Sequence, residues 1–162
     1  MIVLNKMNGV QFVEYCNYFI KDYAIEKEEN YKITKNKAIK IASQELIDDL
    51  PEGINTKNNV LLCIDLENGT DRKLIGYLWY KINVKESSIF IYDFLIFPEY
   101  RSIGYGKKSI AILENNLRKE KIYQIKLRVA YTNKRALDLY LELGFDITGI
   151  NMVKNIKEND ES

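Results

Sequence analysis

The stretch best equipped for chemistry is Arg101-Ser102-Ile103-Gly104-Tyr105-Gly106-Lys107-Lys108. It lies between a very apolar segment and an amphipathic one. Glycine lets a chain turn tightly and bring its amides close to a ligand. Amides at the start of a helix point outward with a partial positive charge, which suits a phosphate. Lys107 and Lys108 then fall in the first helical turn, where a cation opposes the helix dipole. Neutralising a bound anion gives that arrangement a use; a solvated pair of cations is the plainer alternative. This is not a Walker loop: Arg101 stands where that pattern needs its first glycine, and Lys108 where it needs serine or threonine. Nor is it a dinucleotide fingerprint, which needs a third glycine where this chain has Ser109, and an early βαβ unit.

Asp93 is the second candidate. It is the only charged residue between Ile89 and Pro98, and a carboxylate in such apolar company needs a partner or a use. Strand alternation puts it on the face opposite Tyr92, Phe94 and Ile96. It could bind an ammonium or accept a proton. A carboxyl at its usual pKa of about 3.9 is a poor base unless burial raises it. A structural carboxylate paired with main chain or a lysine fits equally well. The chain has no histidine, which removes Ser-His-Asp and Cys-His catalysis and every His-ligated metal site. No metal is expected. Cys16 and Cys63 lie in apolar-periodic segments and read as two buried thiols.

Other elements must hold these groups in place. The 162 residues and 19.0 kDa suit one domain, expected over 1–156 with a polar tail at 157–162. With 24 basic and 23 acidic residues the net charge is +1, so a nucleic-acid partner is not expected from bulk charge. No apolar run reaches the ~18 residues of a membrane span, and the N-terminus lacks a secretion-signal layout. The expectation is a cytoplasmic protein with no membrane partner. Residues 10–30 read as a helix with Val13, Cys16, Ile20 and Tyr23 on its stripe, widened by Phe12 and Phe19. Thr34 caps a second helix that runs to about Asp49, stopped by Leu50-Pro51. Strands follow at 59–66, 73–84 and 88–97, the first two joined at Asn68-Gly69. A helix at 104–119, a strand at 124–131 and a helix at 133–143 ended by Gly144 complete the core. Residues 145–156 carry one or two last strands. The fold class is α/β: a mixed sheet with helices on both faces.

In the order of these pieces the chain resembles the GCN5-related N-acetyltransferases. That family's pyrophosphate loop reads Arg or Gln, two residues, Gly, one residue, then Gly or Ala, as at Arg101, Gly104 and Gly106. A second family pattern matches Asn133-Lys134-Arg135-Ala136, then Tyr140, then Gly144-Phe145. The likeness runs from about Leu74 to Gly149 and is only topological over the first two helices, where such enzymes build substrate specificity.

The resemblance implies an acyl-CoA N-acyltransferase fold with its sheet splayed between the 88–97 and 124–131 strands. It implies acetyl-coenzyme A in that gap. The pantetheine arm would pair with main chain at Phe94, Leu95 and Ile96, and the pyrophosphate would sit on Arg101, Ser102, Ile103, Gly104, Tyr105, Gly106 and Lys107. Asn133 and Ala136 would touch the coenzyme as well; Asn133 also reads as a helix cap. Tyr140 would assist the leaving thiolate, although it equally fits a packed stripe with Ala136, Leu139 and Leu143. The expected reaction is direct attack by a primary amine in a ternary complex, with Tyr140 and Asp93 as catalytic residues. Many family members carry Glu where this chain has Tyr92, which leaves the base open. Tyr92, Asp93 and Tyr131 are candidates for contact with a small-molecule or peptide amine. Tyr77, Trp79 and Tyr80 could join them, or be core. The competing readings are an acetyl-coenzyme A-binding regulatory module of little turnover and an aminoacyl-tRNA or protein acetyltransferase. Lys32, Lys35, Lys37 and Lys40 would serve the latter. Homodimers occur in the family, so a second copy is a candidate partner.

Overall fold

The Asn68-Gly69 pair turns the chain where its residue types predict. In the computed structural model, which describes residues 1–159, β2 (Asn59–Asn68) and β3 (Asp71–Asn83) flank that turn, with Gly69 at φ 63°. The short apolar run Ile2–Lys6 also forms a strand, β1, which the sequence reading missed. It pairs antiparallel with β2 from Ile2↔Leu66 to Lys6↔Leu62. β4 (Ser88–Ile96) completes an antiparallel meander, and β5 (Gln124–Leu127) adds in parallel beside β4. The sheet order is β1-β2-β3-β4-β5. A parallel neighbour requires a crossover, here α3 (Tyr105–Lys119).

Two helices precede β2: α1 (Gly9–Tyr31) and α2 (Lys35–Asp49). Asn8 and Gln11 close a capping box on α1, and Thr34 caps α2 as expected. Both lie on one face of the sheet. Tyr15 from α1 and Leu46 from α2 share a core with Leu61, Cys63, Tyr77 and Trp79, the alternate residues of β2 and β3. The opposite residues, Leu62, Ile64 and Leu78, are buried on the other face, where Tyr105 and Ile112 of α3 line a groove with Ile2 and Leu66. Cys63 is buried, Cys16 half-buried, and both are free thiols. Burial of Tyr77, Trp79 and Tyr80 assigns these three aromatics to the core.

The chain divides into two compact units, Met1–Leu127 and the residues from Arg128 onward. The second holds α4 (Lys134–Glu142), with Asn133 as N-cap and Gly144 at φ 93° just beyond its end. The expected last strands over 145–156 do not form. No ladder engages this segment among the described residues, and Ile147, Ile150, Met152, Val153 and Ile156 are exposed. A strand exists only through a paired neighbour, and apolar residue type alone does not supply one. The expected tail at 157–162 falls partly outside the described residues. Among the described residues no helix is long and apolar enough to cross a membrane.

Candidate functional site

β4 changes character halfway along. Its first part pairs with β5 from Ser88↔Gln124 to Ile91↔Leu127, and the ladder stops there. Residues 93–96 keep β3 on one side, and among the described residues no strand pairs with 92–96 on the other. The Phe97 N–H donates to the Ile75 carbonyl on β3 at 2.8 Å. Main-chain groups alternate sides along a strand, so the N–H and C=O groups of Ile96 and Phe94 face the open side. Leu95 turns its main chain to β3 instead. Arg101 closes back on this edge: its Nε donates to the Ile96 carbonyl at 2.7 Å. The Ile96 N–H stays open among the described residues.

The register also slips once in β4. Trp79 lies opposite Asp93, but Tyr80 lies opposite Ile91, so Tyr92 is an extra residue, a β-bulge. Bulges break alternation, which corrects the expected placement of Asp93 opposite Tyr92. Tyr92 stacks on Trp79 at 4.8 Å, and Asp93 accepts a hydrogen bond of 2.8 Å from the Tyr15 hydroxyl of α1. Both side chains therefore face the helices α1 and α2, while Phe94 and Ile96 face away as alternation requires. Desolvation raises the Asp93 pKa to about 6; the Tyr15 bond pulls against this, and repulsion from Asp22 and Glu26 adds to it. Burial first, then Asp93 itself, drives the Tyr15 phenol well above its ordinary range.

Past β4, a short 3-10 turn at Pro98–Tyr100 leads into the glycine loop. The Arg101 N–H is already spent on the Pro98 carbonyl at 3.2 Å. Ser102 adopts φ 63° and Gly104 φ 96°, left-handed conformations that tilt successive amides to one side. Nothing lies within 4 Å of a Cβ built on Gly104, so glycine is there for the backbone and for open approach. Gly104 is the N-cap of α3 and provides no side-chain cap. The N–H groups of Tyr105 and Gly106 lie in the first turn and have no intrahelical acceptor. Lys107 and Lys108 are exposed beside them, and Ser109 is buried, bonding back to the Tyr105 carbonyl at 2.7 Å. A run of outward amides with two adjacent cations fits a pyrophosphate.

In the second unit, Asn133 Oδ1 accepts from the Ala136 N–H at 3.3 Å, so it is a cap as its type predicts. The half-buried Tyr140 packs edge-on against Phe145 at 5.4 Å. Tyr131 is exposed, with the Lys134 ammonium 5.7 Å from its ring.

Sequence reasoning missed Tyr15. Of the expected stripe, Phe12, Cys16, Phe19, Ile20 and Tyr23 pack against the core, whereas Val13 is 59% exposed and the buried Tyr15 stands beside the stripe. Aromatic residues spaced three and four apart were the available signal.

The sequence profile of the Acetyltransferase (GNAT) family matches residues 18–145. The uncharacterised N-acetyltransferase YycN of Bacillus subtilis strain 168 is 31% identical over 157 residues, covering 96% of this chain and 99% of that protein. The YycN crystal structure superposes with a TM-score of 0.87 over 98% of this chain and 100% of the other, at 32% identity. The PaiA N-acetyltransferase of Thermoplasma acidophilum, solved in complex with coenzyme A, shares the fold at a TM-score of 0.68, 15% identity and 93% coverage of both chains.

Proposed function

The chain belongs to the GNAT acetyltransferase family, and from that premise we propose that it binds acetyl-coenzyme A and acetylates a primary amine by direct attack in a ternary complex. One observation carries the reading: the open edge of β4 at residues 92–96 runs straight into an amide-rich helix start. The outward N–H and C=O of Phe94 suit an extended pantetheine arm laid down like an added strand, with the Ile96 N–H left for the thioester. The amides from Ser102 to Gly106, with Lys107 and Lys108, suit the pyrophosphate. The Arg101 side chain acts mainly as a strap on the Ile96 carbonyl.

Acetyl-coenzyme A supplies an acetyl group activated as a thioester. The Ile96 N–H is the donor placed to hold the carbonyl oxygen as it gains negative charge. Asp93 takes the proton that the attacking ammonium must lose; with its pKa at about 6 it is largely ionised at neutral pH and still a better base than an ordinary aspartate. The bulge supports this assignment. Because Tyr92 and Asp93 face the same side, a carboxylate at 93 serves the face that a family glutamate at the Tyr92 position would serve. Tyr140 donates a hydrogen bond to the departing thiolate. Cys16 and Cys63 have raised pKa values through burial, that of Cys63 to about 11, which suits inert thiols and not an acetyl-enzyme route. The reading takes residues 1–156 as one acetyltransferase domain.

Calorimetric titration with acetyl-coenzyme A tests the proposal, with Gly104→Glu as the control. Saturable binding by the wild-type protein, lost in the variant, is the expected result. No heat from the wild-type protein at millimolar coenzyme overturns it.

A further inference from the structure

We propose that Tyr15 is a positioning residue for acetyl transfer: its buried hydroxyl fixes Oδ2 of Asp93 and thereby presents Oδ1 to the proton of the incoming amine. The inference rests on the acetyl-transfer reading above and adds to it a residue of α1.

The geometry is specific. Tyr15 is fully buried, and a buried hydroxyl must find a partner. Its partner is Asp93 Oδ2 at 2.8 Å, a bond that spans 78 positions of sequence. The ring cannot swing. Tyr77 meets it edge-on at 4.9 Å and Phe19 at 6.0 Å, and the same core closes over it from β2 and β3. Asp93, by contrast, follows a bulge and has no strand on its open side. No other hydrogen bond among the described residues holds the carboxylate in one rotamer. The tether uses one oxygen only. Among the described residues Oδ1 has no hydrogen-bond partner, and no sealed-off side-chain oxygen lacks one, so Oδ1 is not wholly closed off. A carboxylate bound through one oxygen and open at the other is oriented as a base.

The titratable groups that act on Asp93 are Tyr15, Asp22 and Glu26, all on α1. Tyr18 of α1 also feels Asp93, together with Asp22, Glu99 and Arg101. β3 presents Trp79 opposite, which does not ionise. Of these groups only Tyr15 donates a hydrogen bond to the carboxylate and favours its charged form. Removing that donor must therefore raise the Asp93 midpoint, by about one to two pH units for a bond to an ionised group.

The test compares wild-type protein with Tyr15→Phe, which keeps the ring and removes only the hydroxyl. Carbon NMR of aspartate-labelled protein follows the Asp93 carboxyl directly, assigned with Asp93→Asn. The expected midpoint rises by one unit or more in Tyr15→Phe; an unmoved midpoint overturns the inference. Acetylation of spermidine and butylamine, read as thiol release, supplies the second readout. Its acid limb must shift upward in parallel, to roughly tenfold lower rate below the limb, and the alkaline plateau must fall as well, because the untethered carboxylate loses its orientation; an unchanged plateau overturns the positioning role. The ionisation of the probe amine is common to both proteins and cancels in their ratio. A moved carboxyl midpoint with an unmoved rate profile overturns the role of Tyr15 in catalysis. No turnover of either probe, with the midpoint still moved, leaves the Tyr15–Asp93 coupling standing and counts against the acetyl-transfer reading alone. If Tyr15→Phe fails to fold, unmutated protein labelled at tyrosine Cζ decides. The Tyr15 carbon must titrate with the Asp93 midpoint, and a Tyr15 signal blind to that titration overturns the inference.

Discussion

Gly76 lies against the Leu95 carbonyl so closely that a Cβ on Gly76 would collide with that oxygen. Glycine at this place on β3 allows β4 to lie close just where its other edge is open. Gly76→Ala should push β4 outward at Leu95 and Ile96. We expect a loss of about 1–3 kcal/mol of stability, the usual cost of overpacking, and a weaker coenzyme complex. Urea denaturation followed by calorimetry checks both; an unchanged denaturation midpoint contradicts the close packing.

Arg101 should matter through its strap. Arg101→Ala removes the bond to the Ile96 carbonyl and should weaken coenzyme binding about tenfold, the worth of one charge-assisted hydrogen bond. Arg101→Lys should not restore it, because a lysine has no donor at the Nε position. Titration calorimetry of the two variants decides, and full rescue by lysine would point to simple charge.

Asp93 gives a pH dependence of stability with a definite sign. Its folded pKa, about 6, lies above the unfolded value of about 3.9. The folded protein then holds the extra proton between those values. The stabilisation from protonated Asp93 is complete below about pH 4 and is lost as pH rises through 6. Asp93→Asn keeps an oxygen for the Tyr15 hydroxyl and abolishes the ionisation. At pH 7.5 it should be more stable than wild type by about 2 kcal/mol, and at least a hundredfold slower in acetyl transfer. Denaturation curves from pH 4 to 8 should show the gap opening toward alkaline pH; a constant gap refutes the raised pKa.

Tyr140→Phe should slow turnover by about 100-fold or more, the lower end of what a positioned general acid contributes. Coenzyme affinity should stay within about threefold. Steady-state kinetics alongside calorimetry separates the two. Loss of binding with the rate per complex unchanged would assign Tyr140 to packing against Phe145.

Local chemistry made much of this legible. Thr34 and Asn133 cap the helices their types suggest, Asn68-Gly69 makes the turn, and the glycine loop starts α3. What failed was non-local. β1 is a short apolar run whose only strand signal is its pairing with β2, some sixty residues away. The bulge at Tyr92 follows from a register mismatch with β3 that no single segment encodes. Helical spacing finds most of the buried side of α1, but only packing against Tyr77 and Trp79 shows that Tyr15 belongs to it and Val13 does not. The 145–156 segment erred the other way: its residues favour strand, yet no ladder engages it.

The point where the β4–β5 ladder stops has one more consequence. An open sheet has two borders, and natural proteins guard borders against stray strands. This sheet has a third border in its interior, along residues 92–96. It is short, carries one carboxylate at Asp93, and is shielded on one flank by β5. The outward amides along it should exchange with solvent faster than those of the neighbouring paired strands. On the proposed reading the coenzyme would act as a structural member there, and its supply would set how firmly this part of the fold is held.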